Sequence, residues 1–144
     1  MDFFVPYQSV LIFYLLISFG LVVLIWLVQL IIYPNFQYLS DDQLYKWHKI
    51  YTPRITFVVA PLMILQLLLS VYVLFLQINL LTVSSTLLVV LNWLITFIFF
   101  VPLHVKLDQD SKDQQLLKKL VSFNWYRTII WSCVFFIVLA EQMT

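Results

Sequence analysis

The chain has a single glycine, Gly20, so no glycine-rich phosphate loop can be built from it. Its one cysteine, Cys133, excludes an internal disulfide and reads as a small core residue in an apolar run. Charged side chains make up only 10% of the residues, well short of the roughly one quarter usual in soluble domains. The formal net charge of +1 lacks the basic excess that a nucleic-acid surface needs. No Asp or Glu lies inside any of the long apolar runs, which argues against the acidic relays of ion-driven pumps. The first residues hold Asp2 and no Lys or Arg, so they do not read as a cleavable signal peptide.

What the chain does have is apolar length. Hydrophobic residues account for 63% of 144. From Phe3 to Ser40 there is no formal charge, and a bilayer helix needs about 20 apolar residues. From Ile55 to Val105 there is again none. As one helix that stretch would be ~77 Å long, far more than a hydrocarbon core of ~30 Å, so it must fold back on itself. Gln77, Asn79 and the Thr82-Val83-Ser84-Ser85 cluster are the candidates for the turn. The expected spans are 9–33, 54–77, 82–103 and 121–140, joined by charged connectors at 34–53 and 104–120. The predicted fold is all-α, a four-helix transmembrane bundle in one domain surrounded by lipid.

All eight basic residues fall in or beside the two connectors. Basic residues stay on the cytoplasmic side, which predicts cytoplasmic connectors and outside termini, as in a bacterial inner-membrane protein.

The halves resemble one another. Pro34-Asn35-Phe36-Gln37-Tyr38-Leu39 and Pro102-Leu103-His104-Val105-Lys106-Leu107 both read Pro-x-aromatic-x-x-Leu, with histidine counted as a ring. Ser40-Asp41-Asp42-Gln43 and Ser111-Lys112-Asp113-Gln114 both read as capping boxes that start a helix. Arg54 and Arg127 follow. A duplicated helical hairpin predicts two halves related by a pseudo-twofold axis along the membrane normal. Each capped segment is expected as a short helix under the bundle. In the first, Leu44, Trp47, His48 and Tyr51 share a face. In the second, Leu117, Leu120, Val121, Asn124, Thr128 and Trp131 form a stripe that can run on into the last span.

Polar groups within a bilayer are costly and need an account. Gln66 and Asn92 sit at similar depth and fit either an interhelical hydrogen bond or a polar pocket lining. Arg127 fits either snorkelling to the surface or a clamp for a carboxylate or phosphate, with Asn124 and Trp125 at the same rim. His48, His104 and Asp108 belong to the connector end, and two histidines with a carboxylate can form an open metal triad. On a regular helix His104 points about 120° away from Asn92, against a shared site unless Pro102 distorts the register.

The Pro-aromatic exit of the first span, the histidine-containing connector and the Asn124-Trp125-Tyr126-Arg127-Thr128 start of the last resemble the small four-span bacterial membrane proteins of the anthrone-oxygenase-like group. That resemblance implies a cofactor-poor oxygenase, with Asn124 and Arg127 as the matching positions. A second likeness, to small four-span haem-binding oxidases, would need a histidine on the first span, which has none. Three functions therefore stay open. One is a membrane enzyme or redox protein with a cytoplasm-facing site for a metal, haem, quinone or other ligand. Another is a non-catalytic scaffold or accessory subunit, working as a homo-oligomer or with a membrane partner. A small transporter ranks last.

Overall fold

The computed structural model describes residues 6–109 and 114–144. Four long helices account for nearly all of them: α1 (Tyr7–Tyr38), α2 (Asp41–Leu76), α3 (Leu80–Asp108) and α4 (Gln115–Gln142). Each is long and apolar enough to cross a membrane, which makes this a multi-pass membrane protein. Each helix packs along its chain neighbours, and α4 closes the bundle against α1.

The turn between α2 and α3 falls at Gln77–Asn79, where polar side chains can cap both helix ends. The Asn79 side chain accepts from the Thr82 N–H at 2.9 Å, and Thr82 Oγ1 donates to the Gln77 carbonyl at 2.8 Å. Glu141, buried at the end of α4, accepts from Tyr7 Oη at 2.6 Å and from Asn79 Nδ2 at 2.9 and 3.1 Å. One carboxylate thus ties α1, the α2–α3 turn and α4 together at the terminal end.

At the connector end the structure departs from expectation. The first connector is not a separate helix under the bundle: α2 runs without a break from Asp41 through Pro53 and Pro61. Its start is capped as the sequence suggests, with the Ser40 N–H donating to Gln43 Oε1 at 3.1 Å. Leu44, His48 and Tyr51 are buried, which holds the segment upright against the bundle, whereas Trp47 is exposed. Pro53 frees only the Lys49 carbonyl, on an exposed side of the helix, so the helix survives it. The second capping box begins outside the described residues. Beyond it, α4 buries Leu117, Leu120, Asn124, Thr128 and Trp131 along one stripe. Cys133 faces outward, off this stripe, so it is not a core residue.

Two wide turns interrupt the odd-numbered helices. α1 carries a π-helical turn at Val28–Ile32, two residues before Pro34, and α3 carries one at Thr96–Phe100, two residues before Pro102. The matching placement adds a structural register to the two Pro-x-aromatic-x-x-Leu segments. A π turn takes up one extra residue and rotates everything beyond it by about 100°.

The seam between α2 and α3 is uneven. Toward the turn it is lined by small buried residues, and Thr86 Oγ1 donates to the Ser70 carbonyl at 3.1 Å, so the backbones approach closely. Toward the connectors the two helices part over a cavity of about 400 Å³ that is backed by α1 and by Arg127 of α4.

Candidate functional site: a cleft with a hydrogen-bonded histidine chain

The cavity has two chemically distinct ends. Deep in the bundle it is walled by Leu24, Val59, Met63 and Trp93. Toward the connectors it is lined by Tyr33, Tyr51, Thr52, His104, Asp108 and Arg127. Thr56 on α2 and Phe97, Val101 and Val105 on α3 form an exposed rim, so the cleft opens sideways between the two helices. Its wall is mainly apolar with a few convergent polar groups, the usual make-up of a small-molecule site.

The polar groups form a chain. Asp108 Oδ1 lies 2.7 Å from His48 Nδ1, His48 Nε2 lies 2.9 Å from His104 Nδ1, and His104 Nε2 lies 3.2 Å from Tyr33 Oη. His48 is buried, while the Asp108 side chain is 41% exposed, so the chain runs from solvent to the cleft wall. The two imidazoles stack with centroids 5.1 Å apart, and Phe36 places its ring edge-on against His48 at 6.1 Å.

Chemistry orders the protons. An ionised carboxylate only accepts, so the neutral His48 ring carries its hydrogen on Nδ1 and donates it to Asp108. His48 Nε2 is then an acceptor and takes the Nδ1–H of His104. His104 Nε2 in turn accepts from the Tyr33 hydroxyl. Every proton in this order points from Tyr33 toward Asp108, the exposed carboxylate at the connector end of the cleft.

Arg127 lies beside the Tyr33 hydroxyl and is buried, so it does not snorkel. Its guanidinium carbon sits 4.4 Å from the Phe100 ring centre and 4.8 Å from that of Trp131, a cation held between aromatic faces. The cause is its place on α4, on the interior stripe with Asn124, Thr128 and Trp131. Its Nε has no hydrogen-bond partner, and no described carboxylate pairs with it.

The structure thus brings His48, His104 and Asp108 together, but in series. A metal needs ligand lone pairs converging on one point, whereas here each ring nitrogen faces the next group across a hydrogen bond. Among the described residues no group of three His, Cys, Asp or Glu converges on a metal position.

The other expected site residues lie apart from the cleft. Asn124 is buried behind it, donating from Nδ2 to Gln29 Oε1 at 3.0 Å. Trp125 is 41% exposed, faces outward and packs edge-on against Trp26. Gln66 makes interhelical hydrogen bonds, donating to Ser18 Oγ at 3.2 Å and accepting from Trp131 Nε1 at 3.0 Å. Asn92 is buried with neither side-chain atom partnered, and its neighbours Trp93 and Thr96 line the cleft.

The π turn at Thr96–Phe100 removes the objection that Asn92 and His104 face apart. One extra residue in the turn reduces the angle between them from about 120° to about 20°. Tyr33 and Thr52 are site residues that no sequence pattern marks, and Tyr51 is marked only as part of a helix face. The available signal was positional: Tyr33 directly precedes Pro34, and Tyr51 lies on the same stripe as His48.

No protein-family model, no curated protein and no solved structure matches the chain.

Proposed function

We propose that this protein is a small membrane enzyme or redox protein acting on a lipophilic ligand held in the α2–α3 cleft, with Tyr33 and His104 as its proton-accepting groups. The single observation that carries this reading is the hydrogen-bonded chain linking half-exposed Asp108 to Tyr33 through two histidines. In the proton order set by the carboxylate the chain is poised to draw a proton from a ligand at Tyr33 toward the exposed Asp108 end of the cleft. A ligand proton moves to Tyr33 Oη as the Tyr33 proton moves to His104 Nε2. The His104 Nδ1 proton passes to His48 Nε2 in the same step. The net product is a His48 imidazolium against the Asp108 carboxylate and an anion on the ligand. Arg127, beside Tyr33, supplies preorganised positive charge that favours the more negative form of the ligand in a site of low dielectric. The likeness to the anthrone-oxygenase-like group favours the same class of chemistry.

The basic connectors favour a cytoplasmic position for the Asp108 end and outside termini, as in a bacterial inner-membrane protein. Protons drawn from the ligand would then leave to the cytoplasm.

The test is extraction. Wild type and an Ala60→Trp variant, which fills the cleft, are purified in detergent. Their organic extracts are compared by mass spectrometry, alongside visible spectra for haem or quinone. A lipophilic compound retained by wild type and lost in the variant supports the reading. Identical extracts, with His48→Ala and His104→Ala equally silent, would favour the non-catalytic scaffold.

A further inference from the structure

We infer that the cleft takes a single-chain amphiphile with an oxyanion head group, carboxylate or phosphate, that enters sideways from the bilayer and places its head against Arg127. This inference names the ligand class of the proposed site and rests on the reading of the cleft as a ligand site. Three observations on this chain carry it.

Charge comes first. Arg127 is a permanent cation, buried, without a described carboxylate partner, and with Nε unbonded. The rings of Phe100 and Trp131 hold its faces, the neutral Tyr33 hydroxyl beside it brings no balancing charge, and its Nε donor has no partner. A buried charge left in this state is costly, and a planar fork of donors matches a carboxylate or phosphate. A neutral head group would leave the charge unbalanced, and a cationic one would be repelled.

Shape follows. The ionisable lining is confined to the connector end, and beyond it the wall is aliphatic and aromatic as far as Met63 and Trp93, save Thr96, whose hydroxyl donates to the Asn92 carbonyl at 2.8 Å. A head group on Arg127 therefore sends its tail toward the middle of the bundle. A cavity of about 400 Å³ lies at the lower end of the ligand-pocket range and suits one chain rather than two.

Access is the third. The exposed rim of Thr56, Phe97, Val101 and Val105 straddles the α2–α3 seam and faces outward from the bundle, where an amphiphile already dissolved in the bilayer can reach it. The small-residue packing of Ser70 and Thr86 closes the same seam toward the turn, so the tail has a floor.

The experiment uses the full chain in nanodiscs of uncharged lipid. A doxyl-labelled stearate probe quenches tryptophan fluorescence, with Trp93 in the cleft wall as the reporter. Palmitate, cetyl phosphate, cetyl alcohol and cetylamine then compete for the site. The expected result is displacement by palmitate and cetyl phosphate roughly tenfold or more stronger than by cetyl alcohol, in line with a charge-assisted pair. The two anions identify which head is preferred. Arg127→Gln should level anion and alcohol, and Ala60→Trp should abolish displacement by every probe. Should Arg127→Gln fail to fold, the wild-type ranking and Ala60→Trp still decide. Equal binding of alcohol and anions in wild type would overturn the oxyanion assignment while leaving the cleft as a ligand site. Failure of every probe to bind would overturn both.

Discussion

Removing the Asp108 carboxylate should reverse the protons on both histidines. The reasoning starts from the 2.7 Å contact between Asp108 Oδ1 and His48 Nδ1, a length typical of a charge-assisted hydrogen bond. Such a bond contributes about 1.5–3 kcal/mol when buried. The Asp108 side chain is 41% exposed, so we take about 1–2 kcal/mol, a factor of roughly 5–30 in the ratio of the two chain orders. In wild type both neutral rings should carry hydrogen on Nδ1. In Asp108→Ala nothing fixes that order, and both rings should shift toward the form with hydrogen on Nε2, because the shared 2.9 Å contact needs one donor and one acceptor. The chain has only two histidines, so ¹⁵N spectra of histidine-labelled protein at alkaline pH resolve four ring nitrogens, assigned through single variants. Wild-type rings protonated on Nε2, or ring shifts that ignore Asp108→Ala, would refute the ordered chain and with it the direction of proton transfer.

Three other outcomes are expected. Deleting Ile98 should convert the π turn at Thr96–Phe100 to regular helix and rotate His104 by about 100°, breaking the contacts to His48 and Tyr33; circular dichroism should show full helicity while the coupled histidine signals disappear, and their survival would deny the turn its positioning role. A double-mutant cycle of Gln66→Leu with Trp131→Phe, followed by unfolding in mixed micelles, should give a coupling of about 0.6–1.7 kcal/mol for the buried 3.0 Å bond between them, and a coupling near zero would count against it. Glu141→Ala should destabilise the fold by about 0.5–1.5 kcal/mol, because it removes the acceptor shared by the part-buried Tyr7 Oη and Asn79 Nδ2; proteolysis that attacks the terminal end of the variant no faster than that of wild type would show that the carboxylate ties nothing together.

Some of the site was legible in the residues and some was not. The histidines and Asp108 stand out as polar groups at one end of apolar runs, and Arg127 stands out as a cation without an acid inside the membrane. The grouping of His48, His104 and Asp108 is legible as a candidate triad, whereas their order in series beside Tyr33 and Arg127 is not. His104 and Asn92 diverge by about 120° on a regular helix, and the wide turn before Pro102 brings them onto one side. Asn124 and Trp125 precede Arg127 by three and two residues, about 60° and 160° from it around the helix, so one bonds behind the cleft on the interior stripe and the other faces outward. Tyr33 and Tyr51 looked like two more aromatics in a chain that has many.

The sequence by itself determines four long apolar helices, the polar turn near Asn79 and the gathering of basic residues at the connectors. These follow from local quantities: the length of uncharged runs, the cost of burying charge, and helix capping. Tertiary structure decides that the first connector continues into α2, that α2 and α3 close tightly at Ser70 and Thr86 and part toward the connectors, and that Asp108, His48, His104 and Tyr33 join in series beside Arg127. Each depends on which helix faces meet and on one extra residue per π turn. That rotation is carried by backbone hydrogen bonding and leaves no distinct mark in side-chain order.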